Sequence, residues 1–180
     1  AETVRLCTQI GIDARPVFWP GEALVQRARN ALVKIALQHK VDDLIFIDSD
    51  QGWRPEWVPQ LLRYPVDCVG GAVVKKDEKA ESYNVRAVSL DIPVDPKTGL
   101  LIVDGLGTGF LRLSARAMQA LWDASEEYRD DAGDVNRWMF DVRIVRGRLV
   151  SEDIGAAIKL HGAGVETYLD PSITCSHIGR

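Results

Sequence analysis

Asp48-Ser49-Asp50 is the segment of this chain best suited to chemistry. An apolar run, Leu44 to Ile47, stops at two carboxylates one residue apart. A strand buried on both faces reads as such a run, and ligands in α/β folds sit at the carboxyl ends of strands. Hard divalent cations take oxygen ligands, and Mg²⁺ is usually held by one or two carboxylates together with substrate phosphates. The pair therefore reads as a metal bridge to a diphosphate, against the plain alternative of a solvated acidic turn.

Four further features stand beside it. Arg29 and Asn30 lie inside a helical pattern, where a guanidinium fork and an amide could meet phosphate oxygens; a solvated helix face is the ordinary fate of such residues. Gly105, Gly107 and Gly109 alternate before an apolar run, a pattern that lets backbone approach a ligand closely, or simply a loop. Glu152 and Asp153 open a helix. The helix dipole alone favours acids there, but a carboxylate aimed into a cleft can also serve as a general base. His177 follows the last apolar run, where an imidazole could complete a metal site.

The elements that must position these residues read as alternating strands and helices. Strands are expected at Val4–Ile10, Asp43–Ile47, Asp67–Val74, Leu100–Val103, Phe110–Leu113, Val165–Leu169 and Ile173–Ser176. Helices are expected at Glu22–Gln38, Pro55–Arg63, from the N-cap Ser114 through Trp122, and from Ser151 to Gly162. Lys75–Lys97 reads as loop with at most short strands, and Ser125–Asp134 as an acidic exposed loop. The alternation predicts one α/β domain over residues 1–180, its central sheet mainly parallel and flanked by helices.

Composition narrows the classes. The chain has 180 residues and a net charge of −4, with no long basic run, which disfavours a nucleic-acid binder. Cys7, Cys68 and Cys175 show neither zinc spacing nor a disulfide framework, so a reduced, cytoplasmic setting is expected. No stretch is long and apolar enough to span a bilayer, and no signal-peptide pattern opens the sequence. The first expected strand is not followed by Gly-x-Gly-x-x-Gly, and there is no Walker A sequence.

Taken in order, Ala28-Arg29-Asn30, Phe46-Ile47-Asp48-Ser49-Asp50, Gly107-Thr108-Gly109-Phe110, Ser151-Glu152-Asp153, Asp170-Pro171 and His177 resemble glycosyltransferases of the GT-A fold, in particular the family-two-like group. Asp48-Ser49-Asp50 looks like that family's DxD motif and Glu152-Asp153 like its ED motif. The resemblance implies a GT-A-type fold, a nucleotide-diphosphate sugar donor with UDP the first to consider, Mn²⁺ or Mg²⁺, and a carbohydrate or other hydroxyl acceptor. It places Asp50, Asp48 and His177 at the metal. It places Thr8, Arg29, Asn30, Ser49, Gly107, Thr108 and Gly109 around the donor, and Asp153, with Glu152, at the acceptor as base of an inverting transfer. The opening Arg5-Leu6-Cys7-Thr8-Gln9-Ile10 departs from the family's Pro-containing first strand. The Gln-x-x-Arg-Trp motif of processive synthases is absent, which favours single addition over polymerisation. Trp53, Trp57, Trp138 and Phe140 could offer sugar platforms or pack a core.

Three other readings remain open at this level. A haloacid-dehalogenase-type phosphatase also begins from Asp-x-Asp after a strand, but Gln51-Gly52 follows here where that family has Thr or Val. A retaining transferase would not use Asp153 as a base. A non-catalytic sugar-nucleotide-binding module would have no need of one.

Overall fold

The structure is a computed structural model in which residues 1–74, 82–87, 89, 91–130 and 133–177 are described. In chain order the elements are α1 (Glu2–Gln9), α2 (Val25–Gln38), β1 (Asp43–Ile47), β2 (Gln51–Gly52), α3 (Trp57–Arg63), β3 (Cys68–Val73), β4 (Val85–Arg86), β5 (Leu101–Val103), β6 (Gly105–Leu106), β7 (Phe110–Ser114), α4 (Ala115–Asp123), β8 (Glu127–Arg129), β9 (Val135–Arg137), β10 (Arg143–Val145), β11 (Arg148–Val150), α5 (Glu152–Gly162) and β12 (Thr167–His177).

The central sheet runs β1-β7-β3-β12-β2, with β5 also paired to β12. Its direction corrects the sequence expectation. β1 pairs with β7, β3 with β7, and β12 with both β2 and β5 in antiparallel fashion; β3 with β12 is the single parallel pair among the described residues. The mainly parallel, GT-A-type sheet is therefore not what this chain builds. The expectation failed because β7 inserts, reversed, between β1 and β3, which themselves point the same way. A continuous apolar run reports that both faces of a strand are covered. It does not report which way the neighbour runs.

Both faces are covered here. On one side Val33 and Ala36 of α2, Met118 and Leu121 of α4, and Ala156 and Leu160 of α5 pack over Phe46, Leu111 and Leu113. On the other, Cys7 of α1 and Val58 and Leu61 of α3 join Val69, Val73, Phe110 and Ile173. Neighbouring strand residues divide between the two sides as a pleat requires. One polar side chain crosses this apolar layer: buried Arg112 donates to Asp43 Oδ1 (2.6 Å) and to the carbonyls of Tyr64 and Val66.

Local corrections follow the same logic. Val4–Ile10, expected as a strand, lies mostly within helix α1. Its inward residues are Thr3, Val4, Leu6 and Cys7, a helical face, and Glu2 and Arg5 form an i,i+3 ion pair on the outside. The acidic segment 125–134 contributes β8, which pairs with β9. The two C-terminal strands are one, β12, whose register shifts between Asp170 and Thr174, around Pro171. Ser114 caps α4 as expected, its Oγ accepting from Ala117 N. In the Lys75–Lys97 loop, residues 75–81, 88 and 90 lie outside the described residues, and Val85–Arg86 forms the short β4.

Candidate functional site

β1, β3 and β12 end on the same edge of the sheet, and β7 begins there. The chain after β1 is pinned to the start of β7, because Asp48 N donates to Gly109 O (3.1 Å). A Cβ on Gly109 would stand 3.4 Å from Asp48 Oδ2 and 3.5 Å from Gln51 Cδ, ordinary contact distances that place this glycine beside both residues.

Arg29 joins the parts. It projects from α2 with its side chain only 7% exposed. Nη2 donates to Asp48 Oδ1 and Oδ2 at 3.1 and 3.2 Å, and Nη1 donates to Glu152 Oε1 at 2.7 Å. One guanidinium thus ties the end of β1 to the first turn of α5. Asp48 keeps 39% of its side chain exposed and Glu152 20%. The planar fork of arginine serves the two carboxylates from separate nitrogens in a fixed geometry, which the single nitrogen of a lysine does not offer.

Asp153 is deeper, at 6% exposure. Its Oδ1 accepts from Ile154 N (2.8 Å) and from Ser151 Oγ, and its Oδ2 accepts from Asn84 Nδ2 (3.0 Å). Asn84 is itself held between the strand ends. Its N–H donates to Val73 O, and its carbonyl accepts from Gly107 N. A Cβ on Gly107 would meet the Asn84 side chain, so a larger residue there would displace the amide that bonds Asp153.

On the far side, Gln51 in β2 stands opposite His177 at the end of β12. Gln51 Nε2 lies 3.4 Å from Asp50 Oδ1, and Ser49 between the two aspartates is exposed. His177 Nδ1 and Gln51 Oε1 are buried atoms with no hydrogen-bond partner among the described residues. No group of three or more His, Cys, Asp or Glu is arranged as a metal cage among the described residues. The structure therefore does not gather Asp48, Asp50 and His177 into one metal-ligand set; what this edge offers a cation is carboxylate oxygen, and an ion held by one or two carboxylates takes its remaining ligands from phosphate and water.

Other expected residues lie elsewhere. Asn30 is buried and turns to the core side of α2, where its Oδ1 accepts from Met139 N (3.1 Å) and Phe140 N (2.9 Å). Thr108 is buried, facing a cavity of about 10 Å³ that Asp153 and Thr167 also line. Thr8 sits on helix α1, exposed, with its hydroxyl donating to Val4 O. Of the aromatic candidates, Phe140 is fully buried against Phe46, Trp57 packs on Phe110 and Trp138 on Tyr128, which leaves Trp53, 40% exposed, beside the strand edge. Asp170 is a brace. It accepts from Gln60, Tyr64, Ser172 N and Ser172 Oγ at 2.6–2.9 Å, where β12 shifts register. Burial opposes its charge, yet the bonds from Ser172, Tyr64 and Gln60 prevail and hold its carboxyl below the ordinary value. Asn84 and Gln51 are the site residues that sequence reasoning missed; a single amide in a polar loop carries no pattern of its own.

The chain matches no protein-family model and no curated protein. It is similar in fold to the solved structure of A197 from STIV, with a TM-score of 0.55 at 16% identity, over 99% of this chain and 79% of that one. At that identity the likeness speaks to the fold alone.

Proposed function

We propose that this chain is a metal-dependent transferase that moves a sugar from a nucleotide-diphosphate donor to an acceptor hydroxyl. The observation that carries the reading is the Arg29 bridge. It holds Asp48, from the segment suited to a metal and diphosphate, and Glu152, from the segment suited to proton transfer, on one guanidinium at the strand ends.

In this reading Asp48 and Asp50, together with the donor's phosphates, would hold Mn²⁺ or Mg²⁺, which when bound would stabilise the charge that grows on the leaving diphosphate. Arg29 keeps the Asp48 carboxylate oriented towards that position and neutralises part of the local negative charge. Gly109 lets the donor approach the backbone. Asp153 takes the proton of the acceptor hydroxyl as it attacks the anomeric carbon from the opposite side, giving inversion. A second assignment also has an observation behind it. Both oxygens of Asp153 already accept hydrogen bonds, whereas Glu152 is the more exposed carboxylate. In that version Glu152 takes the proton and Asp153 braces the start of α5.

Calorimetry of UDP with Mn²⁺ and with EDTA tests the reading, alongside the other nucleoside diphosphates. Binding is expected only with the metal. Metal-independent affinity, or no affinity for any nucleoside diphosphate, removes the bridge.

A further inference from the structure

The β10–β11 hairpin has no role in the cleft. Its strands pair Arg143 with Val150, Ile144 with Leu149 and Val145 with Arg148. The two-residue turn, Arg146-Gly147, has φ of 50° and 75°, the left-handed pair that closes tight hairpins. Ile144 and Leu149 are cross-strand neighbours, so their side chains stand on the same face of the ribbon. They are 74% and 75% exposed, and Val142 at the root is 45% exposed. Residues 142–150 hold three arginines and no acid, in a chain whose net charge is −4. Arg143 is neutralised by Asp141. Arg146 and Arg148 are exposed and make no hydrogen bond or ion pair among the described residues.

We propose that this hairpin docks the protein on an anionic lipid surface. Ile144 and Leu149 enter the boundary between headgroups and acyl chains, while Arg146 and Arg148 meet lipid phosphates. Two aliphatic side chains on a narrow projecting ribbon offer far less than the roughly 800 Å² per partner that a stable protein interface buries. They suit a fluid interface that closes around them, and arginine stems extend to keep their charge at headgroup level. The charge complement is local: two free guanidinium groups beside the apolar pair attract an anionic bilayer even though the whole chain is acidic.

The hairpin is also rigidly rooted. Asp141 at its base is 3.2 Å from Lys159 Nζ of α5, and Gly155 of α5 packs against the Asp141 backbone. Val150 is three residues beyond Gly147 of the turn, about 10 Å along the strand, and Glu152 follows two positions later. Docking would set the first turn of α5, with Glu152, close above the surface.

Co-sedimentation with vesicles tests this without any sugar donor, so it stands independently of the transfer reading. Wild-type protein is expected to pellet with phosphatidylcholine vesicles containing phosphatidylglycerol, to bind pure phosphatidylcholine weakly, and to be released by high salt. Arg146→Glu/Arg148→Glu and Ile144→Ser/Leu149→Ser should each weaken partitioning roughly tenfold or more. All four side chains are exposed, so both variants should keep the wild-type melting midpoint. The proposal is overturned if wild-type protein ignores anionic vesicles, or if either variant binds as well as wild type. It is equally overturned if soluble heparin binds as tightly and only the arginines matter, which would make the hairpin a polyanion site.

Discussion

Arg29 is the residue on which the candidate site turns, since among the described residues it is the one shown bonded to both Asp48 and Glu152. Arg29→Lys keeps the charge and loses the fork. It should weaken metal-dependent nucleotide binding about tenfold, about 1.4 kcal/mol, while the fold persists. The two carboxylates of α5 are separable by amide substitution, which preserves shape and removes basicity. Asp153→Asn is expected to slow transfer by about 10²-fold or more with little change in donor affinity. Steady-state kinetics of Asp153→Asn and Glu152→Gln side by side decide which is the base. If the larger loss in kcat falls on Glu152→Gln, the proton goes to the more exposed acid and Asp153 is a brace. The individual motifs were legible as residue types because carboxylates after an apolar run, or opening a helix, are visible in one dimension. Asn84, which binds Asp153 from 69 positions away, was not.

At the scale of elements, the sheet depends on glycine where β3 meets β7. A Cβ on Gly70 would lie 2.5 Å from Phe110 O, a backbone atom that cannot swing aside. Gly70→Ala should therefore cost about 1–3 kcal/mol, read as a lower denaturant midpoint at constant slope. β12 is the other dependent element. Its register shift is held by Asp170, and His177 lies at its end. The charged form of Asp170 is favoured in the folded state, so its contribution is present at neutral pH. It is lost as the pH falls below the ordinary aspartate range. Acid titration of the melting midpoint should show this fall in the wild type and a flatter acid limb in Asp170→Asn, from a lower neutral value.

For the molecule as a whole, the two-sided core predicts inert thiols. Burial pushes Cys68 up to about 12 and Cys175 to about 11, and raises Cys7 as well. The thiolate is the reactive form. Native protein at neutral pH should react with a disulfide reagent only as slowly as it opens, and all three cysteines should react at once in denaturant. Fast labelling of Cys68 in the native state would mean that the layer of α4 and α5 over the sheet opens locally.

What the sequence determined by itself was the set of local properties. Apolar runs marked strands covered on both faces, periodicity marked α2, α4 and α5, and Ser114 marked its cap. Carboxylates at run ends and helix starts stood out as candidate residues by type alone. These depend on near neighbours in the chain, and side-chain chemistry is enough to specify them. The tertiary structure alone decided the reversed placement of β7 between β1 and β3, because strand direction follows from long-range pairing and leaves no trace in hydropathy. It also decided that residues 2–9 form a helix, for Val4 and Leu6 fit period two as well as they fit a helical face until Cys7 is seen buried. And it turned Asn30 to the Met139 and Phe140 backbone while turning Arg29 to Asp48 and Glu152, since adjacent helix positions face about 100° apart and only packing chooses the partners of each.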